Sequence, residues 1–298
     1  MGKQTELQIV ARQPQKRPYA SKVGFVLGEG RRFGVEGNAC LLINDEQIVS
    51  LEPKSSEPKE DCQRFRMTIE GFATAGEAEG AGLRLSSALL WLAVSMKYPL
   101  RLEYHTPLPT VVYDRTDQDL RVTGSARATV TTGADEIVGV LKEVFNCTTV
   151  FDRKLLVSME LFVSARMELT ERTRFLGLVS ALEPIAEQRV YGEPVEKLVE
   201  ELLLALKQSS DIPEELQQSL EGRILDLRRE SISRSICGLV KSNLSDDSAV
   251  GTIKEAYDVR SKIIHEGTSQ ADLDELSPRV EEVIRRLYSS LTGLGLHL

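Results

Sequence analysis

Two side chains near the end of the chain have the types and spacing for chemistry. Residues 257–267 read Tyr-Asp-Val-Arg-Ser-Lys-Ile-Ile-His-Glu-Gly, which sets Arg260 five positions before His265. A guanidinium can hold a phosphate and the charge that builds on its oxygens. An imidazole can take or give a proton near neutral pH. Together they are a minimal kit for cutting RNA without a metal.

If the segment is a helix, each residue turns by about 100°. From Arg260, the residues Val250, Ile253, Ala256, Tyr257, Ile263 and Ile264 then fall within about 80° on either side. This places Arg260 near the middle of an apolar face, where an unpaired charge is costly. The guanidinium must snorkel, pair with a carboxylate or line a solvated cleft. His265 lies about 140° around from it, just before Gly267, a residue suited to ending the helix. By itself such a histidine is as readily structural, or merely exposed.

The elements that must position this pair differ between the two halves. From Asp152 onward the apolar period is helical, with helices expected near 153–167, 171–188, 194–207, 213–241, 247–265 and 277–291. Short connections between them imply antiparallel neighbours and a bundle. Residues 202–206 (Leu-Leu-Leu-Ala-Leu) are apolar on nearly all sides and should be buried or form an interface.

Up to about residue 146, short β-favouring runs alternate with turn signals at 7–11, 22–27, 39–43, 64–72, 100–104, 110–113 and 126–132. One long helix interrupts them. Thr74 and Glu77 have capping-box spacing, and Pro99 stops the helix. A second is expected over 135–145. Residues 28–34 superficially look like a phosphate-binding glycine loop, but no helix opens at the last glycine, so they read as a hairpin with a basic tip. The expected fold class is α+β. Residues 1–150 form a mixed domain of strands with one long helix, and residues 151–298 form an all-α bundle.

Composition narrows the function classes. The net charge is −8 over 298 residues; residues 151–298 hold 19 basic and 26 acidic side chains, or −7. A broad basic surface for nucleic acid is therefore not expected, and any RNA contact must be local. The longest apolar run, 88–94, is too short to cross a bilayer. Residues 1–13 lack the pattern of a signal peptide. Cys40, Cys62, Cys147 and Cys237 show neither metal-ligand spacing nor a disulfide framework. The expectation is a cytoplasmic protein without metal or cofactor.

The segment Thr173-Arg-Phe-Leu-Gly-Leu-Val-Ser-Ala-Leu-Glu183, followed about eighty residues later by the 257–267 segment, resembles the HEPN superfamily, most closely its ApeA-like branch. The resemblance covers about 152–292. It implies a metal-independent endoribonuclease of a toxin or antiviral kind, with the arginine and histidine of two subunits lining a cleft in a homodimer. Arg260 would hold the scissile phosphate, and His265 would be general base or general acid. Ser261 stands next to the arginine, where active members carry a polar residue. Glu183 is a further supporting candidate or else a structural partner for Arg260. Residues 1–150 would then sense a trigger or dock a regulatory protein. The alternatives are a non-catalytic HEPN module for dimerisation or nucleotide binding, and a regulatory scaffold.

Overall fold

The computed structural model describes residues 17–28, 39–43, 47–54, 62–104, 109–115, 134–147, 152–209 and 211–296. The chain is α+β, as expected, and divides into two compact units. One comprises Met1–Ala93 and Lys97–Val150; the other comprises Val94–Met96 and Phe151–Leu298.

The first unit is built on an antiparallel sheet of β1 (Tyr19–Leu27), β2 (Ala39–Leu42), β3 (Ile48–Lys54), β4 (Gln63–Phe72), β5 (Leu100–Glu103) and β6 (Val111–Asp114). The strand order is β2-β3-β4-β1-β5, with β6 also paired to β1. Alternation along β4 puts Phe65, Met67 and Ile69 in the core and Arg64, Arg66 and Glu70 on the other face. Two expectations need correcting. Strand β3 was not anticipated, because Pro53 and its charged neighbours hide the alternation. Residues 28–34 do not join hairpin partners, since β3 and β4 lie between β1 and β2 in the sheet. Residues 29–38, and the runs expected at 7–11 and 126–132, lie outside the described residues.

Helix α1 (Ala75–Met96) follows β4 and starts as its sequence requires. The Glu77 N–H donates to Thr74 Oγ1 at 3.2 Å, and the Ala73 N–H donates to Glu77 Oε2 at 2.9 Å, which completes the capping box. The helix lies close against the sheet: a Cβ on Gly82 would sit 2.2 Å from Ser21 Oγ and 2.1 Å from Thr110 Oγ1. Helix α2 (Ala134–Asn146) is held to the loop after β2 by Asn146, whose Nδ2 donates to the Ile43 carbonyl at 3.0 Å.

In the second unit, helices α3 (Arg153–Ala165), α4 (Glu171–Ser180), α7 (Ile232–Leu244), α8 (Asp247–Glu266) and α9 (Leu273–Thr292) form the bundle. Between α4 and α7 the chain forms α5 (Glu193–Gln208) and α6 (Glu214–Asp226), which pack on each other. The bundle core gathers Phe162, Phe175, Ile236, Ile284 and Tyr288. Phe162 meets Tyr288 edge to face, with ring centroids 5.6 Å apart. The Tyr288 hydroxyl lies 2.7 Å from Ser158 Oγ, which donates to the Ala181 carbonyl at 2.5 Å. Burial pushes the Tyr288 phenol well above its ordinary pKa. Helices α3 and α4 approach so closely that a Cβ on Gly177 would come within 2.7 Å of Ala165 Cβ.

Three helix boundaries differ from the sequence reading, each for a local reason. Helix α4 ends at Ser180, and Glu183–Ile185 form a separate 3-10 turn, because Pro184 cannot continue the ladder. The single helix expected over 213–241 is two helices. The chain leaves α6 through residues 227–230, and Ser231 caps α7 by accepting from the Arg234 N–H at 3.4 Å. Helix α9 starts earlier than expected because Asp272 caps it, accepting from the N–H groups of Asp274 at 3.0 Å and Glu275 at 3.2 Å.

Candidate functional site

Helix α8 carries Arg260, Ser261 and His265, and both its ends are fixed. Asp246 caps the start, accepting from the N–H groups of Ser248 at 3.0 Å and Ala249 at 3.2 Å. The same carboxylate takes a bond from Arg286 Nη1 of α9 at 2.9 Å. That guanidinium and the two backbone donors hold the Asp246 carboxyl below its ordinary pKa. Gly267 closes the other end in the left-handed conformation, φ 78°, with its N–H donating to the Ile263 carbonyl at 3.2 Å. The helix packs against α4, α7 and α9.

Those neighbours decide which face is buried, and it is not centred where residue types alone put it. Ala249, Thr252, Ile253, Ala256, Val259 and Ile263 are buried. Val250 and Tyr257 are half-buried, and Ile264 is 54% exposed. The stripe therefore centres near Ala256, and Arg260 lies on its margin rather than in its middle. Nothing among the described residues closes over Ile264, so an apolar residue there does not extend the core.

Arg260 meets two groups. Its Nη2 lies 2.9 Å from Glu183 Oε1, and the side chains are 24% and 34% exposed. The guanidinium carbon lies 5.5 Å from the centre of the Tyr257 ring, one turn earlier. The ion pair is close but not aligned as a hydrogen bond. Arg260 Nε and Glu183 Oε1 are both buried with no hydrogen-bond partner among the described residues. An unsatisfied buried N–H on a permanent cation is uncommon and leaves capacity for a further acceptor. The Tyr257 hydroxyl is pushed above its ordinary pKa first by burial and then by the Glu183 charge, with Arg260 opposing.

The structure thus joins Glu183 to Arg260 and adds Tyr257, which the sequence reading took only as part of the apolar stripe. Its position three residues before Arg260 on a helix was the available signal. Ser261 is half-buried. His265 is exposed in the last turn, and among the described residues no hydrogen bond or ion pair joins it to Arg260, Ser261 or Glu183. Five residues of helix separate the arginine and histidine by about 7.5 Å of rise and about 140° of rotation. One copy of α8 therefore presents the two groups to different directions. Among the described residues no three His, Cys, Asp or Glu side chains gather as a metal set, and no helix is long and apolar enough to cross a membrane.

Compared with known protein families, curated proteins and solved structures, the chain matches none.

Proposed function

We propose that the chain is a metal-independent endoribonuclease of the HEPN type, the cytoplasmic effector of a toxin or antiviral defence system. The observation that carries this reading is the state of Arg260. Its guanidinium is held at the margin of α8 by one carboxylate and keeps a buried, unbonded N–H, while His265 stands exposed on the same helix.

In this reading two copies pair so that Arg260 and His265 of both line one cleft. An RNA phosphate joins or replaces the Glu183 carboxylate on Arg260, which stabilises the charge developing on the phosphoryl oxygens. One histidine takes the proton of the ribose 2′-hydroxyl. The 2′-oxygen attacks phosphorus, the bond from phosphorus to the 5′-oxygen breaks, and the other histidine protonates that leaving oxygen. The products are a 2′,3′-cyclic phosphate and a 5′-hydroxyl, and DNA is spared because it lacks the nucleophile. Ser261 and Glu183 are supporting residues. Residues 1–150 would dock a regulatory or trigger protein.

The Arg260–Glu183 pair favours a second reading, in which the carboxylate serves as a fixed structural partner. The chain is then a non-catalytic module for dimerisation or nucleotide binding, or a regulatory scaffold. Incubation of the purified protein with RNA in EDTA, beside His265→Ala, separates the two. Cleavage that persists in EDTA and falls by about 10²-fold or more in the variant is the expected result. Equal cleavage by both proteins, or none by either, removes the ribonuclease reading.

A further inference from the structure

The α5–α6 hairpin is covered far less than the helices around it. Helix α5 buries only Val199 and Leu206, and α6 buries no side chain. Neither helix packs extensively on α3, α4, α7, α8 or α9. The hairpin stands on a two-stranded neck. The Tyr191 N–H donates to the Arg228 carbonyl at 2.8 Å, and the Glu230 N–H donates to the Arg189 carbonyl at 2.9 Å.

Beyond the neck, apolar side chains remain open to solvent: Leu198 52%, Leu202 37%, Leu216 50% and Leu227 51%. On α5 the run Val195, Leu198, Leu202, Ala205 has the three-four spacing of a seam between packed helices. On α6, Leu216, Leu220 and Leu227 share one side. Patches of this size on a folded chain mark contact surfaces.

We propose that this hairpin docks on the same hairpin of a second copy of the chain, closing a four-helix bundle around a two-fold axis that runs along the hairpin. In that arrangement each α5 lies antiparallel to its own α6 and to the α6 of the other copy. Charge supports this occupant. Counting outward from the turn at Asp211, Glu200 and Glu201 on α5 stand level with Arg223 on α6, and Lys207 stands level with Glu215. Among the described residues no ion pair joins α5 to α6 within one chain, so these complementary charges remain available to the second copy. Size is adequate. Helices of 16 and 13 residues are about 24 and 20 Å long and about 10 Å thick, so one face covers roughly 400 Å² in projection. Protruding side chains bring that toward the roughly 600 Å² per partner of the smaller stable interfaces.

This contact does not rest on the ribonuclease reading, and it is distinct from the pairing of Arg260 and His265 in a cleft. Sedimentation velocity of the full chain across a micromolar series is expected to give the mass of two copies. Leu198→Glu with Leu202→Glu should weaken the dimer by about tenfold or more with the helical circular dichroism retained. Arg223→Glu should also weaken it, and adding Glu200→Arg should restore it. His265→Ala should leave the mass unchanged, so loss of cleavage and loss of this dimer are read separately. A wild-type monomer throughout the series overturns the proposal. So does a dimer insensitive to Arg223→Glu, whether or not the leucine variant folds.

Discussion

The bundle and the hairpin of the second unit are made of similarly amphipathic helices, yet their side chains end differently. Helices α8 and α9 bury six and nine residues, α5 two and α6 none. Amphipathic pattern specifies that a helix has a face to cover; only neighbours specify whether it is covered. In the bundle the cover comes from the same chain, which fixes α8 at both ends and holds Arg260 at a defined margin. In the hairpin the face is left half-open, which suits a partner surface better than a chemical site.

The largest expected contrast is in the cores. Phe162→Ala should cost about 3–5 kcal/mol in thermal or urea unfolding, since Phe162 is fully buried against Tyr288. Leu204→Ala, on the exposed side of α5, should stay within about 0.5 kcal/mol. Equal losses at the two sites would end the distinction between a self-covered bundle and an uncovered hairpin.

A smaller effect concerns how α8 is anchored. The Asp246 carboxyl is held below its ordinary value, so its contribution to stability is present above about pH 4 and disappears as pH falls through the lowered value. In Asp246→Asn, which keeps a capping oxygen but loses the charge toward Arg286, the acid limb of the stability profile should flatten. An unchanged acid limb would show that the Arg286 contact does not stabilise the folded state.

These elements were unequally legible in the sequence. The start of α1 could be read because its signal, Thr74 with Glu77, is local. The end of α8 was equally plain at Gly267. The split between α6 and α7 was not, because residues 227–230 keep a helical composition and the break depends on pairing with residues 189–191 across the neck. Strand β3 was hidden by Pro53. At the site, the types and positions of Arg260 and His265 were readable, but the centre of the buried stripe was not. Ile264 and Tyr257 count as apolar in any periodicity, while α4, α7 and α9 sit on the other side. The Glu183 contact depends on the chain turning at Pro184 after α4, which brings a carboxylate from 77 positions away onto Arg260.

The most direct measurement is the chemistry of the ends left on RNA treated with the wild-type protein in EDTA, using a matched RNA with 2′-deoxyribose at the cut position. The account predicts a 2′,3′-cyclic phosphate and a 5′-hydroxyl from the first RNA, and no cut in the second. A 5′-phosphate product, or equal cutting of the 2′-deoxy RNA, would contradict it.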